Sequence, residues 1–196
     1  MNSDSPIAFF LTWVTYGTWL PGDARGWVEY KHGWQLPNTN LEADCESRMS
    51  EDAIRLTNDQ RCAVEAQIKE TCRHRDWVLH AVNCRSNHVH VLVSAVNTLP
   101  KNVRLDLKAY ATRCLNTLDP SRGNWWAERG SIRWVYTDND LEAATIYVID
   151  RQHRKPEASA RDKTGNPKRK RGTGLCDDCQ HSPSLTRRVT KRTHEI

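Results

Sequence analysis

Residues 77–95 read WVLHAVNCRSNHVHVLVSA. Two apolar, β-branched runs, Trp77–Asn83 and His88–Ala95, flank the polar triplet Arg85-Ser86-Asn87, and this pattern predicts a β-hairpin. Successive strand side chains point to opposite faces. His88 and His90 therefore share one face, and Val89, Val91 and Val93 share the other. One side of the hairpin suits a hydrophobic core. The other begins with two imidazoles, whose burial is costly unless something engages them.

The neighbouring segments complete a small α+β fold. Upstream, Val64, Ile68 and Cys72 recur every four residues and predict a helix from Thr57 to about Cys72. Residues 20–57 carry Gly, Pro and Asn punctuation with little periodicity and are expected to be an irregular insertion. Before them, Phe9–Trp19 is aromatic and β-branched, a strand broken at Pro21-Gly22-Asp23. Downstream, Pro100 opens a helix reaching about Leu118, with Val103, Leu107, Ala111, Cys114 and Leu118 as its apolar stripe. Ile132–Tyr136 is a short strand. Thr137 and Asp140 then have the spacing of a capping box, for a helix continuing to about Gln152. The economical arrangement is one antiparallel sheet with helices on one face, a ferredoxin-like α+β fold. This domain should span residues 1–155, followed by a basic tail at 156–196 with little packed structure.

Charge divides the chain at the same place. Of 29 Lys+Arg and 24 Asp+Glu, residues 151–196 hold 13 basic and 5 acidic, a net of +8, and the first 150 residues net −3. Such tails are commonly solvated arms for polyanions. No apolar run approaches the ~20 residues of a membrane span, and the polar, acidic start lacks the basic region of a secretory signal. Seven scattered Cys, an odd number, argue against a disulfide framework and for a reducing, cytoplasmic location.

Two imidazoles on one strand face can bind one divalent cation, or can simply be histidines on an open sheet face. Two tyrosines lie on helices downstream. Tyr110 sits at the edge of its helix's core stripe and reads as a core aromatic. In the last helix the stripe is Leu141, Ala144, Thr145, Val148 and Ile149, and Tyr147 lies more than a quarter turn outside it, on the side of Asp150. Tyr147 is the better nucleophile candidate, although an amphipathic surface tyrosine is the ordinary alternative.

Asn87-His88-Val89-His90 with its apolar continuation, and a tyrosine some fifty residues later in a helix, together resemble the single-tyrosine HUH transposases. FLTWVTYGTWLPGD at the start and WWAERGSIRWVYTDNDLEAATIYVIDRQ from Trp125 to Gln152 carry the resemblance over roughly residues 8–153. Its nearest forms are the REP-associated tyrosine transposases and the transposases of small insertion sequences. The resemblance implies a ferredoxin-like core, a divalent metal and single-stranded DNA substrates with a hairpin or palindromic repeat. The chain would act as a monomer or homodimer, without a membrane.

Under that resemblance Tyr147 is the catalytic nucleophile and His88 and His90 hold Mg²⁺ or Mn²⁺. A tyrosine hydroxyl, with a reference pKa near ~10, is a weak nucleophile at neutral pH, so the phosphate it attacks must be activated by a cation. The products would be a 5′-phosphotyrosine and a free 3′-hydroxyl able to rejoin DNA. No ATP is needed, and no Gly-x-x-x-x-Gly-Lys loop occurs. A hard cation prefers a further oxygen ligand. Relatives often supply an amide one turn after the tyrosine, but Arg151 stands there. Asp150 at i+3 is the first choice and Gln152 the second.

Basic and aromatic residues near these motifs are candidates for holding a single strand. They are Arg85, Lys101, Arg104, Lys108, Arg129 and Arg133, with Trp125 and Trp126, and Trp19 and Trp27 in the insertion. Cys176-x-x-Cys179 with His181 supplies one ligand pair of the two that a structural zinc site normally uses. Two alternatives remain at this level: a non-cleaving binder of hairpin DNA or RNA on the same fold, and an unrelated His-x-His metalloenzyme.

Overall fold

A computed structural model describes residues 5–29 and 31–149. Its central element is a four-stranded antiparallel sheet in the order β4-β5-β1-β6. The strands are β1 (Ala8–Val14), β4 (Val78–Cys84), β5 (His88–Ser94) and β6 (Ser131–Val135). The hairpin of residues 78–94 thus forms one half of the sheet, and β1 joins it to β6.

The insertion is more ordered than its punctuation predicts. It holds a short hairpin, β2 (Trp27–Glu29) with β3 (Gly33–Gln35), and a nine-residue helix, α1 (Thr39–Ser47). Helix α1 buries no residue, so its apolar pattern is too weak to read from sequence. The Asn38 side chain caps it by accepting from the Leu41 backbone N–H.

Period-two alternation divides the sheet into two cores. Phe9, Leu11, Trp13, Val89, Val91 and Val93 face α2 (Asn58–His74) and α3 (Pro100–Leu118). Helix α2 starts at Thr57 with a complete capping box to Gln60. Helix α3 starts on Pro100 and buries Val103, Leu107, Ala111 and Leu115, whereas Leu118 is 53% exposed.

Ala8, Phe10, Ala81, Leu92 and Val135 form the second core, against Ala144 and Val148 of α4 (Asp138–Ile149). The antiparallel α+β sheet is as expected, but the helices are not all on one face. Helix α4 packs on the face opposite α2 and α3, because β1 and β5 are apolar on both sides. The Thr137 hydroxyl caps α4, accepting from the Asp140 N–H and donating to its carboxylate. Ile149, assigned to the stripe of this helix by its spacing, is 51% exposed.

Candidate active site

A row of register partners, Asn83, His90, Thr12 and Ser131, crosses β4, β5, β1 and β6. His90 lies on the face covered by α4. Its ring stacks on Phe10 at 5.3 Å between centroids, with an interplanar angle of 13°. His88 lies two residues earlier on the same face, 4.7 Å away centroid to centroid. Asn83 donates its side-chain amide to the Val148 carbonyl at 2.9 Å, tying the last turn of α4 to the sheet.

That tie sets Tyr147. Its ring meets Phe10 edge-on at 6.0 Å and His90 edge-on at 5.8 Å, and it stays 43% exposed. Tyr110 projects from α3, which packs on the other face of the sheet, beneath the guanidinium of Arg113. The sheet therefore separates the two tyrosines, and only Tyr147 adjoins the histidines.

The Nδ1 atoms of both histidines meet oxygens. His88 Nδ1 lies 2.8 Å from Asn87 Oδ1, which can only accept, so this nitrogen carries the proton. His90 Nδ1 lies 2.7 Å from the Thr12 hydroxyl, which can accept in the same sense. Nε2 of each ring is then the lone-pair nitrogen, the arrangement by which outer-shell oxygens orient metal-binding imidazoles. Burial, reinforced by the nearby charges of His88 and Arg85, pushes His90 down to about 3, so its ring is neutral at physiological pH. Two imidazoles on one face, each with Nδ1 held by an oxygen, fit a divalent cation. Among the described residues, no group of three or more His, Cys, Asp or Glu is placed to hold a metal. Asp150 and Gln152 lie outside the described residues, as does the Cys176/Cys179/His181 cluster.

The turn bearing Asn87 is fixed from two sides. The Thr15 N–H donates to the Asn87 carbonyl at 2.9 Å, and the Leu56 N–H donates to that of Ser86 at 2.7 Å. The Thr15 hydroxyl, fully buried, donates to the Ile54 carbonyl at 2.7 Å. The hydroxyls of Thr15 and Thr18 also donate to the Asn87 carbonyl, at 3.3 and 3.4 Å, so backbone and side-chain contacts together present Asn87 to His88.

Two recesses flank Tyr147. One, of about 620 Å³, lies between α4 and β6 and is lined by Phe10, Arg133, Asp140 and Tyr147, among others. The Arg133 guanidinium lies 5.1 Å above the Phe10 ring. The other, of about 400 Å³, is lined by Arg61, Arg85, Ser86, Asn87, His88 and Tyr147. Arg133 and Arg85 thus each line a recess beside Tyr147.

Four other candidates do not. Arg104 is buried and donates to the Gly130 carbonyl. Lys108 donates to the carbonyls of Ala127 at 2.6 Å and Glu128 at 3.1 Å, and burial pushes its ammonium down to about 8. Trp125 is core, 2% exposed, with its indole N–H on Asn116 at 2.6 Å. Trp126 is half-buried edge-on to Trp13 and donates to the Thr112 hydroxyl. Long basic side chains on a core-facing stripe can run inward to carbonyls, so these four pin residues 125–130 to α3 rather than holding DNA. Lys101 and Arg129 are exposed and line neither recess.

Thr12, Asn83, Phe10 and Arg61 were not legible as site residues. Thr12 and Asn83 are polar residues in otherwise apolar strands, which was the available signal. Nothing in the sequence around Arg61 marks it.

The family model of IS200-like transposases matches residues 50–138, from the approach to α2 through β6 to the start of α4, including both histidines. The match supports a transposase-like function, and Tyr147 lies beyond its end. Two solved structures are similar to the chain. One is a REP-associated tyrosine transposase bound to a REP hairpin, at 12% identity and a TM-score of 0.44, over 72% of this chain and 63% of that one. The other is a transposase candidate from Deinococcus radiodurans R1, at 14% identity and a TM-score of 0.44, over 76% of this chain and 92% of that one. The chain spans 63% of the length of the first. No curated protein matches it. Among the described residues, no helix is long and apolar enough to cross a membrane.

Proposed function

We propose that this chain is a transposase that cleaves and rejoins single-stranded, hairpin-containing DNA, with Tyr147 as nucleophile. The observation that carries the reading is the meeting of Tyr147 with the His88–His90 pair on one sheet face, its ring 5.8 Å from that of His90 and open to solvent. The tyrosine oxygen bonds to phosphorus, and its proton leaves to water. The bond from phosphorus to the 3′ oxygen breaks, and that oxygen takes up a proton. The products are a 5′-phosphotyrosine and a free 3′-hydroxyl, which can later attack a phosphotyrosine link and rejoin strands.

His88 and His90 would hold Mg²⁺ or Mn²⁺, which when bound supplies positive charge beside the scissile phosphate. Asp150, or in second place Gln152, is proposed to complete that ligand set. Asn87 and Thr12 orient the imidazoles, and Asn83 holds the Tyr147 turn on the sheet. The catalytic unit is proposed as residues 1–155, with the tail at 156–196 adding only salt-sensitive affinity.

The test is incubation of the full chain with hairpin-flanked single-stranded DNA and Mg²⁺ or Mn²⁺. A covalent protein–DNA adduct is expected on denaturing gels, lost in Tyr147→Phe and kept in Tyr110→Phe. His88→Ala should abolish the adduct and leave hairpin affinity largely intact. The reverse pattern for the two tyrosines overturns the assignment. Binding with no adduct under either metal would make the protein a non-cleaving hairpin binder.

A further inference from the structure

We infer that the recess formed by Arg61 and Arg85 seats a second backbone phosphate of the bound strand, next to the one attacked by Tyr147. The inference rests on the DNA-binding part of the reading above. Among the described residues, the recess presents two guanidiniums, the side chains of Ser86 and Asn87, His88 and the Tyr147 ring, and no carboxylate. Such a lining favours an anion, and planar guanidiniums match phosphate geometry. The recess on the other side of Tyr147 differs, because Asp140 faces it together with Arg133. A phosphate there would meet a carboxylate, so the two sides of the tyrosine are not equivalent for a polyanion.

Arg61 reaches this place from the far side of the sheet. It sits in the first turns of α2, whose core-facing residues Val64, Ile68 and Cys72 pack on the face opposite the histidines. The approach to α2 runs past the β4–β5 turn, where the Leu56 N–H meets the Ser86 carbonyl. One helical turn beyond Arg61, Glu65 accepts from the Cys84 N–H at 2.7 Å. Arg61 therefore stands at the end of the sheet and can address the same space as Arg85. One of its amino groups donates to Asn58. Its Nε is buried and has no hydrogen-bond partner among the described residues. A buried donor left unmet is costly, and an anion in the recess would be placed to meet it. Because Tyr147 and His88 line the same recess, a phosphate there is one step along the strand from the scissile group.

The experiment measures binding alone, with metal chelated. Full-length protein is titrated with a fluorescent single-stranded oligonucleotide carrying one hairpin, over a salt series, by anisotropy. Each neutralised phosphate on a single strand contributes about 0.7 to the slope of log affinity against log salt. Arg61→Gln should lower the slope by about that amount. Arg61→Lys should restore it, and Lys69→Gln, an exposed change elsewhere on α2, should leave it unchanged. A methylphosphonate scan should find one phosphate whose neutralisation weakens the wild type and has no further effect in Arg61→Gln. Should that variant fold poorly, Arg85→Gln reads the same seat from the turn. Full wild-type slope in either well-folded glutamine variant overturns the inference, as does a scan in which no phosphate is coupled to Arg61. Adduct formation is not read here, so failure of cleavage and failure of the phosphate seat are distinguishable.

Discussion

Replacing Thr12 by Val keeps the shape of the side chain and deletes the oxygen that meets His90 Nδ1 at 2.7 Å. His90 is only 8% exposed, so water cannot readily take over that contact. A buried donor left unmet costs about 1–3 kcal/mol. Valine fits a pleated strand slightly better than threonine and offsets up to about 1 kcal/mol. A net loss of about 1–2 kcal/mol follows, read as a lower urea midpoint at unchanged slope. The second effect is specific to the site. Without an acceptor at Nδ1, the tautomer that keeps the lone pair on Nε2 loses its support, and losses of this kind lower metal affinity by about 10- to 100-fold. Mn²⁺ titration of the full chain, followed by electron paramagnetic resonance, should show that drop. Thr12→Ser retains the hydroxyl and should bind Mn²⁺ like the wild type. Wild-type Mn²⁺ affinity in Thr12→Val, with the stability loss present, would reduce Thr12 to a packing role and refute its part in orienting His90.

Three further outcomes follow from the packing. Burial holds the Lys108 ammonium near 8, below the ~10.4 of the unfolded chain, so between those pH values the unfolded state binds more protons and this residue's contribution to stability rises with pH. The stability of the wild type relative to Lys108→Met should therefore grow from pH 8 to pH 10, measured by urea midpoints. Gly130 lies against β1, where an added Cβ would collide with the Thr12 carbonyl oxygen and stand 3.0 Å from Trp13 Cβ. Gly130→Ala should cost about 1–3 kcal/mol in denaturant unfolding, because the obstacle is backbone. Burial pushes the thiols of Cys72 and Cys84 up to about 11 and about 12, while Cys62 is exposed. Iodoacetamide at pH 8, followed by mass mapping, should label Cys62 well before either of the others.

The elements themselves were legible because their signals are local. Thr57 and Gln60 announce α2, Pro100 opens α3, and Thr137 with Asp140 caps α4, each through contacts within one turn. Helix α1 buries nothing and so has no apolar face that a sequence pattern could report. The roles of charged and aromatic residues were the least legible. Arg104 and Lys108 look like solvated cations in sequence, yet each reaches a carbonyl of the segment that leads into β6. Their partners are about twenty residues or more away in the chain, and no local pattern reports such a contact. Trp125 and Trp126 were ambiguous for the same reason, since an indole can stack on a base or fill a core.

The sequence by itself determined that His88 and His90 share a strand face, because the strand period is two and no packing can alter it. It also separated an off-core Tyr147 from a core-edge Tyr110 by the helical period. Only the tertiary structure decided that α4 packs on the histidine face while α3 packs on the other, which brings Tyr147 to His90 and carries Tyr110 away. Both faces of β1 and β5 are apolar enough to accept a helix, so the pattern of the sheet did not choose between them. The choice followed from which helix surface fitted each face, together with the Asn83 amide on the Val148 carbonyl. Both are contacts between segments distant in sequence.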